Sequence, residues 1–191
     1  MEERSYLPDP LRNLNALSYR CGRNGTASGV DTDVATLAAG SKVGFQPTQA
    51  GQSSFHDGPL QAYLAKSPEQ TPQGLKKWDA DGAYFKIAER GPDGPGWFSS
   101  YQGKKDYFYQ FNFSIPAVTP PGFYILRIES VYPKPTFNTT QLYVNCAQVE
   151  ITGPGGSHEP GPTVRFPGAF DEYDEGKYLF EKVVQLDEWR C

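Results

Sequence analysis

Residues 107–115 have the sequence YFYQFNFSI, the clearest alternation of side chains along the chain. One face would carry Tyr107, Tyr109, Phe111, Phe113 and Ile115, and the other Gln110, Asn112 and Ser114, with Phe108 as the exception. A period of two residues is typical of a half-buried β-strand. Pro116 and the turn Pro120-Pro121-Gly122 follow, so we expect the strand to end there. This stretch predicts a protein built on β-sheet.

Further strands are predicted on both sides of this stretch. They are Asp33–Thr36, Lys42–Phe45, Leu60–Ala65, 83–89, Phe123–Val131 and Gln141–Ile151. Residues 66–82 are expected to form a loop with room for one helical turn, and residues 152–169 a Gly/Pro loop. The tail 171–191 shows only the weak helical spacing of Leu179, Val183 and Leu186. Many short strands, long loops and no long helix predict an all-β fold, an antiparallel β-sandwich, in a single domain spanning residues 1–191.

The charge of the chain excludes two classes of partner. Its 191 residues carry a formal net charge of −4, whereas nucleic acids and anionic membranes attract a basic surface. No apolar run approaches the roughly 18 residues that span a bilayer. We therefore expect neither a nucleic acid nor a membrane as partner, and we expect a monomer.

Three Asn-x-Ser/Thr sequons begin at Asn24, Asn112 and Asn138, which are candidate glycosylation sites. Three sequons in a short chain with a plausible disulfide predict a secreted, extracellular protein. The first ten residues, MEERSYLPDP, contain no apolar segment of a signal peptide. We therefore expect that Met1 is not the natural start of a secreted precursor.

The three cysteines, Cys21, Cys146 and Cys191, are most simply one disulfide pair and one unpaired residue. A Cys21–Cys146 bond would close a very long loop, which the chain-entropy estimate values at roughly 5 kcal/mol. Cys191 is then either unpaired or bonded outside this chain. The spacing does not favour zinc, because no two cysteines have ligand spacing and the histidines lie far from them in sequence.

His56 and His158 are the only histidines, so imidazole chemistry has two candidates. A lone loop histidine is usually an ordinary surface or capping residue, and this interpretation is favoured for His158. A Ser-His-Asp triad lacks the support of a G-x-S-x-G elbow. A pair of glycosidase carboxylates remains open, but nothing singles out two of the 22 acidic residues.

His56 lies within a series of collinear motifs. In chain order, the motifs around and beside it are YRCGRNG (19–25), AGSKV (39–43), HDGPLQAYLAK (56–66), FKI (85–87), PGFYILRIE (121–129), QLYVNCAQV (141–149) and GPTVRFPGA (161–169). Together, from about residue 15 to residue 176, they resemble fungal lytic polysaccharide monooxygenases of auxiliary activity family 9.

The resemblance implies an immunoglobulin-like or fibronectin type III-like sandwich with a flat face that binds polysaccharide. By the length of that family, it also implies that an N-terminal edge strand is missing from this chain. It also implies one copper ion, held in the family by an N-terminal histidine and by a second histidine that corresponds to His56. Tyr143 would lie at the axial position, Gln141 would steer the oxygen species, and Cys21 and Cys146 would form a disulfide. Copper suits imidazole ligands, and Gln141 and Tyr143 share one face of a strand.

The resemblance further implies a reaction and its partners. Reduced copper would activate O₂ or peroxide and abstract hydrogen at carbon 1 or carbon 4 of a glycosidic link. The partners would be cellulose or another β-glucan and an external electron donor.

Three departures from the family pattern shape the expected function. No histidine precedes His56, none occurs in Ser130–Thr140, where Lys134 lies, and the tail 177–191 differs from the family's ending. The copper site is therefore expected to be incomplete, and the chain as written to be inactive. Two main hypotheses follow: an oxidative copper enzyme whose sequence is truncated, or a non-catalytic member that binds polysaccharide or copper at the cell wall. An unrelated carbohydrate-binding module is disfavoured by the collinear motifs.

Overall fold

A computed structural model describes residues 9–46, 55–93, 96–97, 110–134, 136, 139–157 and 160–170. Its ten strands are β1 (Val34–Ala38), β2 (Lys42–Phe45), β3 (Leu60–Lys66), β4 (Tyr84–Arg90), β5 (Pro92–Asp93), β6 (Gly96–Trp97), β7 (Phe111–Ser114), β8 (Gly122–Tyr132), β9 (Gln141–Thr152) and β10 (Thr163–Val164). The helical segments are helix α1 (Pro72–Lys77) and two 3₁₀ turns, Leu17–Tyr19 and Ser28–Asp31. This composition confirms the all-β prediction. Among these residues, no helix is long and apolar enough to cross a membrane.

Six strands form one large sheet in the order β1-β9-β8-β3-β4-β10, β2 and β7 form a second sheet, and β5 and β6 a small third one. All pairs are antiparallel except β1–β9, which is parallel. The strands β8 and β9 are the longest, with 11 and 12 residues, and they pair along their whole length. They form the rigid centre of the molecule, and the start of β9 lies beside the end of β8.

Two apolar layers cover the two faces of the large sheet. One layer lies against β2 and β7, where Val43, Phe45 and Phe113 pack on side chains that include Leu64 and Leu126. This contact makes the molecule a sandwich of two sheets, since each sheet buries its apolar face against the other. The strand β3 is buried on both faces, which explains its nearly continuous apolar sequence.

The second layer packs loops and helix α1 on the opposite face. Its members include Tyr19, Tyr63, Leu75, Tyr84 and Phe166. Phe166 lies at the centre of this layer, with its ring 5.1 to 5.7 Å from the rings of the three tyrosines. The Gly/Pro loop that follows β9 is therefore fixed on the sheet by an aromatic anchor.

A buried ion pair lies within this second layer. Arg127 and Glu129 on β8 are 2.8 Å apart between Nη2 and Oε2, and both side chains are fully buried. The Tyr19 hydroxyl donates to Glu129 Oε2 at 2.9 Å, and Arg127 donates to the backbone oxygens of Tyr19 and Arg20. The guanidinium also lies 3.5 Å from the ring centroid of Phe166. The pair thus attaches the 3₁₀ turn at Leu17–Tyr19 to the central strand.

The predicted helical turn in residues 66–82 is helix α1. It begins after Thr71, whose hydroxyl accepts a hydrogen bond from Gly74 N at 2.9 Å, and Pro72 occupies its first turn. Both features favour a helix start because they satisfy or remove a backbone donor that the helix leaves unpaired.

The predicted strands agree with the observed ones to within a few residues where the structure describes them. The strand expected at 107–115 is observed as β7, which starts at Phe111; Tyr107 and Tyr109 lie outside the described residues. The loop expected at 152–169 is wrong at one point, because Thr163–Val164 pairs with β4. The tail 171–191 also lies outside the described residues, and the single-domain prediction stays a prediction.

Candidate functional site

The register of β8 and β9 places the candidate residues at one end of the large sheet. Gln141 is paired with Tyr132, and Tyr143 with Ser130. His56 approaches this end from the segment that precedes β3, where the backbone oxygen of Pro59 accepts a hydrogen bond from Val131 N at 3.0 Å. The site therefore combines the start of β9, the end of β8 and the entry to β3.

His56, Tyr143 and Gln141 form one chain of polar contacts. The Nε2 atom of His56 lies 3.1 Å from the Tyr143 hydroxyl oxygen. The same hydroxyl donates to Gln141 Oε1 at 2.7 Å. The structure thus brings together all three residues that the sequence singled out, although their roles toward a metal stay predictions.

An aromatic residue that the sequence did not single out completes the site. The ring of Tyr132 is stacked on the imidazole of His56, with centroids 4.5 Å apart and planes at 13°. The Nζ atom of Lys134 lies 3.6 Å from the centroid of the Tyr132 ring. The pairing of β8 with β9 places Tyr132 beside Gln141 and so could have indicated that Tyr132 belongs to the site. That register cannot be predicted from one sequence.

The surroundings of His56 favour its neutral form. Burial lowers the pKa of the imidazole, Lys134 lowers it further, and Asp57 opposes both. A neutral imidazole with its proton on Nδ1 presents a lone pair at Nε2, which is the form that binds metals. Because the Tyr143 hydroxyl donates to Gln141, its oxygen accepts from His56, so Nε2 carries the proton in the metal-free protein. Moving that proton to Nδ1 would free Nε2 as a ligand atom.

The Tyr143 phenol is held in its protonated form. Burial raises its pKa, Arg12 opposes this shift, and Tyr132 and Asp9 add to it. The protonated phenol can donate to Gln141 and remains a neutral oxygen beside Nε2 of His56.

The chemistry of these donors fits part of a metal site. Two ligand atoms that each lie about 2 Å from one ion are roughly 3 Å apart at a right angle. The 3.1 Å between His56 Nε2 and the Tyr143 oxygen matches that spacing. Among the described residues, however, no group of three or more His, Cys, Asp or Glu side chains could hold a metal ion. The incomplete copper site that the sequence predicts stays a prediction.

The disulfide of the structure joins Cys21 and Cys146, across 125 residues of sequence. Cys146 lies opposite Arg127 in the β8–β9 ladder, on the side away from Tyr143. The bond attaches the segment that carries Tyr19 to the strand that carries Gln141 and Tyr143. It thereby supports β9 on the face opposite the site. Cys191 lies outside the described residues.

A family model and curated relatives match this chain. The model of Auxiliary Activity family 9 (formerly GH61) matches residues 1–186. The AA9 family lytic polysaccharide monooxygenase U of Thermothielavioides terrestris is 39% identical over 184 residues, which are 94% of this chain and 68% of that protein. Monooxygenase C of Emericella nidulans is 37% identical over 180 residues, with 90% and 71% covered.

Solved structures of the same kind share the fold. HiLPMO9B has a TM-score of 0.69 and 27% identity, over 89% of this chain and 74% of that one. A cellulose-active polysaccharide monooxygenase from M. thermophila has a TM-score of 0.67, with 88% and 74% covered, and its identity of 24% supports the fold alone. From the family model and the relatives together, the chain belongs to Auxiliary Activity family 9.

Proposed function

We propose that the protein is a copper-dependent monooxygenase that cleaves cellulose or a related β-glucan. The observation that carries the proposal is the contact of His56 Nε2 with the Tyr143 oxygen at 3.1 Å, extended to Gln141 by the 2.7 Å hydrogen bond. An imidazole nitrogen beside a protonated phenol is a donor set that suits copper, and copper is what the family uses.

Each of the three residues has a distinct part in this proposal. His56 supplies a nitrogen ligand, and Tyr143 places its oxygen beside the metal. Gln141 accepts a hydrogen bond from the Tyr143 hydroxyl and so fixes the direction of the phenol. Bound and reduced copper would activate O₂ or peroxide for attack on a C–H bond of the glycosidic link. Electrons come from an external donor, and the polysaccharide is extracellular, which agrees with a secreted protein.

The experiment uses the protein as its natural host secretes it, loaded with copper and incubated with cellulose and ascorbate. We expect oxidised cello-oligosaccharides that disappear when a chelator removes the metal. The 191-residue chain, tested alongside, is expected to release none, because one imidazole and one phenol bind redox copper weakly. Secreted protein that binds copper yet yields no oxidised sugar would refute the proposal.

A second candidate is a non-catalytic family member that binds polysaccharide or copper at the cell wall. One observation favours it: the positive charge of Lys134 acts on His56, where it opposes the binding of a cation. This candidate predicts retention of the secreted protein on cellulose without any oxidised product. The same incubation therefore separates the two candidates.

Copper binding of the chain is expected to depend on His56. Replacing it by alanine removes the described imidazole, so the affinity for Cu(II) should fall at least about tenfold, which corresponds to about 1.4 kcal/mol. Isothermal titration of the apo-protein with Cu(II) measures this change.

The matched control is His158→Ala, which removes the other imidazole of the chain. We expect this variant to bind Cu(II) as the unmodified chain does. Equal affinities of the His56→Ala variant and the unmodified chain would reject His56 as a ligand.

Glycans are expected at the sequon asparagines when the protein is secreted. Asn24 and Asn112 are both exposed in the structure, and Asn138 lies outside the described residues. Exposure leaves room for a glycan, so peptide mapping after PNGase F should find these asparagines converted to aspartate. Exposed Asn145 is followed by Cys146-Ala147 and is the control without a sequon. Unconverted asparagine at both 24 and 112 would contradict the expectation.

A further inference from the structure

We propose that Tyr132 is a positioning residue for His56, and that Lys134 holds the Tyr132 ring in place. This inference rests on the proposed function in one respect, which is that His56 is the ligand being positioned. The observation behind it is the parallel stack of the two rings, 4.5 Å apart at 13°.

His56 is brought to Tyr132 by close packing of the backbone. The segment that carries His56 lies against the end of β8, where Val131 N donates to the Pro59 oxygen. At Gly58 a Cβ atom would collide with the backbone oxygen of Val131 and with the ring of Pro133. Only a glycine permits this approach. The chain on both sides of Tyr132 therefore fixes the place from which His56 reaches the site.

Two rings then determine the orientation of the imidazole. Tyr132 faces it in parallel, whereas Tyr143 meets it at 40°, with centroids 5.3 Å apart. The parallel contact fixes the plane of the imidazole. The 3.1 Å contact with the Tyr143 oxygen fixes the direction in which Nε2 points within that plane. The two contacts together define one orientation.

Lys134 lies over the ring of Tyr132. Its Nζ atom lies 3.6 Å from the centroid of the Tyr132 ring, within the range of a cation–π contact. Its backbone N donates to Thr140 Oγ1 at 3.3 Å, just before β9 begins. Pro133 stands between the two residues and restricts the backbone there. The connection from β8 to β9 thus supports the ring that supports His56.

Charged groups of both signs lie around His56 and Tyr143. Lys134 and Asp57 act on His56 in opposite directions, and Arg12 and Asp9 do so on Tyr143. The orientation of His56 therefore depends on its contacts with the two rings and not on a change in the charge of the imidazole. This implies that the imidazole is already oriented before any metal binds.

The test compares Tyr132→Leu with Tyr132→Phe, because phenylalanine keeps the ring and leucine keeps only the apolar bulk. Long-range ¹H–¹⁵N NMR of the metal-free chain resolves its two imidazoles, and His158 serves as internal reference. We expect Tyr132→Leu to remove the ring-current shift of the His56 ring protons and to weaken Cu(II) binding about tenfold. Tyr132→Phe should retain both properties.

Lys134→Met should move the His56 ring protons in the same direction as Tyr132→Leu, but less. Its control is Lys86→Met, since Lys86 lies over another tyrosine, Tyr63, at 5.9 Å from the ring centroid. Unchanged His56 ring protons in Tyr132→Leu, or a Tyr132→Phe variant that behaves like leucine, would overturn the inference.

The two parts of this experiment separate the inference from the proposed function. If the unmodified chain shows no change at His56 on addition of Cu(II), the proposed role of His56 as a copper ligand fails. The ring-proton shifts of the metal-free variants still decide whether Tyr132 positions His56.

Discussion

Replacing Glu129 by glutamine is expected to lower the free energy of unfolding by about 3–5 kcal/mol, because it leaves the Arg127 charge buried without its counter-ion. Both side chains are fully buried and lie 2.8 Å apart. Glutamine keeps the size of the side chain, so the loss reports the charge and not a cavity. Guanidinium unfolding with the disulfide intact measures the change through the midpoint at constant slope.

An exposed ion pair of the same kind provides the control. Lys86 Nζ and Glu89 Oε2 are 2.9 Å apart, but the side chains of Lys86 and Glu89 are 43% and 66% exposed. Exposed pairs contribute about 0–1 kcal/mol, so Glu89→Gln should change the stability by no more than that. Equal losses of unfolding free energy in Glu129→Gln and Glu89→Gln would show that burial does not determine how much the Arg127–Glu129 pair contributes to stability.

The strands could be predicted from the sequence because the alternation of side chains reports burial directly. Phe111, Asn112 and Phe113 alternate between the core and solvent as expected for β7. The pairing partners could not be predicted in the same way. The parallel pairing of β1 with β9 depends on how the long connection between them runs, and Thr163–Val164 is too short to give a period.

Part of the candidate site could also be predicted from the alternation of side chains along a strand. A spacing of two residues puts Gln141 and Tyr143 on one face of β9, and the motif around His56 connected it with them. The contact of the Tyr132 ring with His56 could not be predicted, because it depends on the β8–β9 register and on the close approach of the backbone at Gly58. Local patterns do not encode such contacts between distant segments.

The buried ion pair was also missing from the sequence interpretation. The sequence predicted a strand at Phe123–Val131, but charged residues are rarely buried, so an ion pair inside it was not expected. In the structure Arg127 and Glu129 face the aromatic layer, where Tyr19 and backbone oxygens satisfy part of their hydrogen-bonding capacity. The partners come from a segment more than 100 residues away, which no local pattern predicts.

Above pH 10 the protein is expected to lose stability steeply, by about 3 kcal/mol between pH 10 and pH 11. Three tyrosines of the aromatic layer, Tyr19, Tyr63 and Tyr84, have pKa values raised from 10, mainly by burial. The unfolded chain releases these protons near pH 10, whereas the folded chain keeps them. Stability is therefore complete below pH 10 and falls as the pH rises toward the raised pKa values. Each retained proton contributes about 1 kcal/mol between pH 10 and pH 11, and about 1.4 kcal/mol per pH unit once the unfolded phenol is fully ionised.

Denaturant unfolding measured between pH 9 and pH 11.5 gives this slope, and tyrosinate absorbance follows ionisation of the phenols. Tyr84→Phe removes one of the three, together with its 2.7 Å hydrogen bond to the Ala80 oxygen. The lost hydrogen bond should cost about 1 kcal/mol at every pH, whereas the lost phenol should reduce the alkaline slope by about a third. A slope that stays unchanged in Tyr84→Phe would mean that the phenol ionises equally well in the folded and unfolded chains.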